Sequence, residues 1–147
     1  MYMVNSRILQ NYSLFGGLLE EQIESIMYLM HQQDYDPETA IITEGKHNDQ
    51  VYFIIDGKVA VMKGGVVLTR LGEGEAFGEM EILDVMPAVA TIKTMTPVKV
   101  MSISNKDLRE IYKKDIKIFS LIIMNLARGL SRRLRKMDEK LVSSSST

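Results

Sequence analysis

The chain has 147 residues, no cysteine and a net charge of −1, with 46% hydrophobic and 25% charged residues. The length fits one domain and the composition lies near the globular average. Without cysteine there are no disulfides, thiolate metal sites, iron–sulfur clusters or cysteine nucleophiles, and no run approaches the ~18 apolar residues of a membrane span.

Met1 to Asn11 holds one basic residue, Arg7, and no long apolar core. It does not read as a secretory signal, so a cytoplasmic protein is expected. After the turn-like stretch Ser13-Leu14-Phe15-Gly16-Gly17, apolar residues recur at steps of three and four: Leu18, Leu19, Ile23, Ile26, Met27 and Met30. This spacing predicts an amphipathic helix, with Glu20 and Glu21 where the helix dipole favours acids. The N-terminal helical segment is placed at 12–38, ending at Asp36-Pro37.

From Thr39 to Ser104 the texture changes. Short β-branched runs (Ala40–Thr43, Val51–Ile55, Lys58–Met62, Val66–Arg70, Val89–Lys93, Val98–Ile103) are separated by Gly45, Asp56-Gly57, Gly64-Gly65, Gly72, Gly74 and Pro97. Asp-Gly and Gly-Gly between such runs are strong hairpin signals. This many short strands at this spacing predict a β-roll or jelly roll over 39–104.

The helical period returns at Ser104-Asn105, a plausible cap for Lys106–Tyr112. A long helix is expected from Ile116 to Leu141, with an apolar stripe at Phe119, Ile122, Ile123, Leu126, Leu130, Leu134, Met137 and Leu141. That stripe outlasts the roll it could cover, which predicts a homodimer through this helix. Between Leu126 and Leu141, six basic side chains against Asp138 and Glu139 leave +4 in a chain of net −1. The basic residues are read as the wet face of the helix. Residues 105–142 thus form the C-terminal helices, and 143–147 a disordered tail. The fold class is mainly β with flanking α: one domain over 1–142, a roll between an N-terminal helix and a long C-terminal one.

Leu71-Gly72-Glu73-Gly74-Glu75-Ala76-Phe77-Gly78-Glu79-Met80, followed by Pro87-Ala88-Val89-Ala90-Thr91, resembles the phosphate-binding cassette of cyclic-nucleotide-binding domains. Glu44-Gly45 and Val51 through Val59 match the strand-turn signature of that family. The resemblance spans about residues 12–135 and implies a non-enzymatic sensor module. A cyclic phosphodiester brings one negative charge and a ribose hydroxyl. Gly78 lets backbone approach an anion closely. The resemblance gives Glu79 the task of accepting from the ribose 2′-hydroxyl.

The chain departs from the family at the next step. The position of the family's phosphate-pairing arginine is Ala88, and the polar position after it is Val89. Losing a charge-assisted hydrogen bond of about 1.5–3 kcal/mol weakens binding by about one to two orders of magnitude. If the long helix folds over the base as a lid, Arg133 stacks on the purine.

The ligand set implied by the resemblance is therefore Phe77, Gly78, Glu79, Met80, Ala88, Val89, Ala90 and Arg133. The ligand is a cyclic nucleotide, cAMP before cGMP, bound weakly or atypically. The alternative is a dimerisation or protein-interaction module with a degenerate cassette. No cofactor and no metal are expected: His31 and His47 stand apart and read as surface residues, which argues against a cupin-type enzyme. Glu73, Glu75 and Glu81 read as solvated acids. No recognition-helix pattern follows the long helix, so direct DNA reading is not expected from this chain.

Overall fold

The computed structural model describes residues 4–145. A helical layer opens the chain: α1 (Ser6–Leu9), a 3-10 turn (Ser13–Phe15), α2 (Glu20–Ile26) and a second 3-10 turn (Met27–Leu29). Eight strands follow: β1 (His31–Tyr35), β2 (Ala40–Ile42), β3 (Gln50–Asp56), β4 (Val59–Lys63), β5 (Val66–Leu71), β6 (Ala76–Phe77), β7 (Thr91–Thr94) and β8 (Val98–Ser104). The short helix α3 (Glu79–Asp84) lies between β6 and β7, and α4 (Asn105–Lys114) and α5 (Ile116–Ser145) close the chain. The strands form two four-stranded sheets, ordered β1-β8-β3-β6 and β2-β7-β4-β5, with antiparallel pairing throughout. The expected roll with flanking helices is what the sequence builds.

The strand residues divide between two apolar clusters by the alternation of a pleated strand. From β3, Val51, Phe53 and Ile55 pack against the helical layer, while Tyr52 and Ile54 face the interior of the roll. Both faces of β3 are covered, which explains its unbroken apolar run. β8 divides likewise, Met101 and Ile103 toward the helices and Val98 and Val100 toward the interior. Phe15 meets Phe53 edge-on, ring centroids 5.1 Å apart, tying the N-terminal layer to the central strand. The turn at Asp56-Gly57 needs its glycine: φ is +100°, and a Cβ there would lie 2.4 Å from the carbonyl oxygen of Pro97.

Ser104 caps α4 as expected. Its Oγ accepts from the Asp107 N–H at 3.0 Å, and Asp107 Oδ2 accepts from the Ser104 N–H at 3.1 Å, a capping box closed by aspartate. Asp115 then starts α5 by accepting from the N–H groups of Lys117 and Ile118. Ile118, Ile122 and Leu126 bury the proximal half of α5, whereas Leu134, Met137 and Leu141 on its distal half are exposed.

Three boundaries differ from expectation. The segment 12–38 is not one helix: it holds two 3-10 turns, the seven-residue α2, and strand β1. β1 was not legible because His31-Gln32-Gln33-Asp34-Tyr35 is polar; it is an edge strand whose register comes from pairing with β8, His31 opposite Ser102 through Tyr35 opposite Val98. The run Val89–Lys93 becomes β7 only from Thr91, where pairing with β4 begins opposite Met62. Helix α5 continues to Ser145, three residues into the segment expected to be disordered, and the rest of that segment lies outside the described residues. Among the described residues no helix is long and apolar enough to cross a membrane.

Candidate functional site

The site is built where β6 leaves the sheet. β6 pairs with β3, Phe77 opposite Tyr52 and Ala76 opposite Phe53. Phe77 turns into the roll and stacks on Tyr52, centroids 5.0 Å apart and planes at 10°. Gly78 then takes φ +87°, and a Cβ would sit 2.6 Å from the Gln50 carbonyl oxygen. Only glycine lets the chain turn this close to β3. Asn48 fastens the turn, its Nδ2 donating to the carbonyls of Gln50 (2.9 Å) and Gly78 (3.1 Å) and to Glu81 Oε1 (3.3 Å).

Glu79, the first residue of α3, is buried, its side chain 3% exposed. Arg133 of α5 reaches it across 54 residues of sequence, Nη1 donating to Oε1 at 2.7 Å, and Nη2 donates to the Ala76 carbonyl. Glu79 Oε2 is buried without a hydrogen-bond partner. Burial raises the Glu79 carboxyl above its ordinary value, and Arg133 opposes the rise. The pair lines a cavity of about 100 Å³ between the Ser13–Phe15 turn, β6 and α5, which Gly129 and Lys136 also border. Asn125 holds α5 in this register: its Nδ2 donates to the carbonyls of Leu14 (3.0 Å) and Gly16 (2.9 Å).

Glu81 corrects an expectation. It is buried rather than solvated. Burial raises its carboxyl, with Asn48 opposing and the neighbouring Glu79 and Asp84 adding to the rise. Glu73 and Glu75 are exposed, as expected.

Ala88 is buried in the apolar cluster of the roll interior together with Phe77, Ile42 and Tyr52. Its N–H donates to the Lys46 carbonyl at 2.9 Å, and its carbonyl accepts from the Gly45 N–H at 2.8 Å. Ala90 is buried, while Met80 and Val89 are exposed. The Val89 carbonyl accepts from Lys63 Nζ at 2.9 Å. α3 ends at Val85, a β-branched residue at φ +59°, a left-handed conformation that such side chains resist.

The structure thus brings Phe77 and Ala88 together inside the roll, and Glu79 and Arg133 together at its edge. It leaves Met80 and Val89 facing outward. The Arg133 guanidinium, expected to stack on a purine, is committed to Glu79 and Ala76 instead, because a buried carboxylate draws the nearest cation. Asn48 and Asn125 were missed, since a lone asparagine in a loop or helix carries no local signal of a long-range partner.

The family model for the cyclic nucleotide-binding domain matches residues 32–115. The chain belongs to this family. It is 32% identical over 98 residues to the cAMP-dependent protein kinase regulatory subunit of Yarrowia lipolytica, covering 67% of this chain and 26% of that protein. It is 31% identical over 133 residues to the cyclic AMP receptor protein of Thermus thermophilus, covering 87% of this chain and 60% of that protein. A cyclic nucleotide-binding domain from Methylobacillus flagellatus shares the fold, with a TM-score of 0.86, 23% identity, and coverage of 96% of this chain and 82% of that one. The chain therefore spans about a quarter and three fifths of the two curated relatives.

Proposed function

We propose that this chain is a non-catalytic, cytoplasmic regulatory module that takes the ribose of a cyclic nucleotide at Glu79, with cAMP preferred to cGMP and bound weakly. One observation carries the reading: a carboxylate buried at the turn after β6 whose Oε2 lacks a donor. Such an oxygen is costly to bury, and a ligand hydroxyl satisfies it. The choice of cAMP is supported by the relatives named for it. Weakness follows from Ala88, which supplies no counter-charge to a phosphate.

A ligand hydroxyl at Glu79 Oε2 sits on the same carboxylate whose Oε1 Arg133 holds, so binding is coupled to the position of α5. The distal half of that helix presents Leu134, Met137 and Leu141 to solvent, and this stripe fits a second copy of the helix. Calorimetric titration with cAMP and cGMP tests the reading. The expected result is a cAMP dissociation constant of about 10⁻⁵ to 10⁻³ M, weaker for cGMP. No heat at millimolar ligand, with no shift in melting temperature, overturns it.

A further inference from the structure

We propose that the cassette discriminates against the phosphate, so that an uncharged purine nucleoside binds more tightly than the corresponding cyclic nucleotide. The inference rests on the reading above, that Glu79 receives a ribose hydroxyl, and adds which ligand class the rest of the site accepts.

The charge inventory of the cassette segment itself is one-sided. Residues 77–91 carry Glu79, Glu81 and Asp84 and no basic side chain. Glu81 is not a remote surface acid: it is buried, held by Asn48, and two residues from Glu79. Ala88 presents a methyl group to an apolar cluster, with its N–H and carbonyl both spent on the Gly45–Lys46 backbone. An anion seated in this segment would be desolvated beside carboxylates with nothing to neutralise it.

The cations nearby do not change the sign. Arg133 is committed to Glu79 Oε1 and the Ala76 carbonyl. Lys63 is exposed and holds the outward-facing Val89 carbonyl, Lys46 is exposed with its carbonyl accepting from the Ala88 N–H, and Arg132 and Lys136, which border the cavity beside Glu79, are exposed as well. Exposed cationic groups act through screened solvent and contribute little. A hydroxyl-bearing neutral ligand meets none of these penalties. It still satisfies Glu79 Oε2, the one buried acceptor without a partner among the described side chains.

The experiment is parallel calorimetry on the intact chain with adenosine, cAMP and 2′-deoxyadenosine, at low and moderate salt. The expected order is adenosine about tenfold or more tighter than cAMP, with 2′-deoxyadenosine weaker than adenosine because it leaves Oε2 unpaired. Ala88→Arg is expected to reverse the first preference. Because an arginine inside an apolar cluster can unfold the roll, the wild-type ligand series is decisive by itself. cAMP binding as tightly as adenosine or tighter overturns the inference and leaves the sensor reading standing. A cAMP affinity that falls steeply with salt likewise overturns it, by showing that Lys46 or Lys63 has been recruited to the phosphate. Adenosine binding with no cAMP binding supports the inference and removes the cAMP assignment. Neither ligand binding overturns both.

Discussion

The Arg133–Glu79 pair is the contact by which α5 is joined to the cassette, and Arg133→Ala measures it. The Glu79 side chain is 3% exposed and that of Arg133 31%. Removing one partner of a fully buried pair costs about 3–5 kcal/mol, because the other charge is left uncompensated. Arg133 is partly wet, and its removal opens the cavity beside it to water, so about 2–3 kcal/mol is expected near pH 8. For a domain of this size that is a fall of roughly 6–12 °C in Tm. The effect must depend on pH in a defined direction. Glu79 already sits above its ordinary value through burial, and loss of Arg133 raises it further. As pH falls, the carboxyl takes up a proton, a neutral acid needs no cation, and the difference from wild type shrinks. Thermal melts of both proteins from pH 5 to pH 8 provide the assay. A Tm difference under about 2 °C at pH 8, or an equal difference at both ends of the range, would refute the argument that the arginine neutralises a buried charge.

Two further outcomes follow from the same geometry. Glu81→Gln keeps an oxygen for Asn48 and removes a buried charge. Since the folded-state value of Glu81 lies above its ordinary 4.5, the folded protein holds more protons than the unfolded chain between those values, and this group's contribution to stability is lost as pH rises through the folded value. The variant is expected to be at least as stable as wild type at pH 7, with a flatter decline above pH 4.5; denaturant titrations across that range check it, and a clearly less stable variant at pH 7 contradicts the account. Leu134→Glu, placed on the exposed half of α5, is expected to convert a dimer into a species of 16.7 kDa by light scattering, without lowering Tm extrapolated to low concentration; equal masses for wild type and variant would remove the helix-mediated dimer.

The sequence by itself determined whatever is local. Gly57 and Gly64-Gly65 mark turns at positive φ, Ser104 with Asp107 writes the start of α4, and steps of three and four along α5 name Ile122 and Leu126, which pack, together with Leu134, Met137 and Leu141, which stay exposed. The order Phe77-Gly78-Glu79 marks the turn at positive φ that opens α3, because backbone turns and motif spacing are properties of neighbouring residues.

What required the tertiary structure is the pairing of distant groups. His31–Tyr35 is polar and becomes a strand only because β8 offers it an edge. Glu81 looks like any surface acid until Asn48, 33 residues away, closes over it. Arg133 was one of six basic residues on a helix expected to be wet, and Asn125 reaches loop carbonyls more than 100 residues upstream. Periodicity states which face of α5 is apolar, but its register against the roll is set by these long-range hydrogen bonds. That register decides which cation meets the buried carboxylate, because the energy of such a pair depends on distance and desolvation in three dimensions and leaves no trace in local propensity.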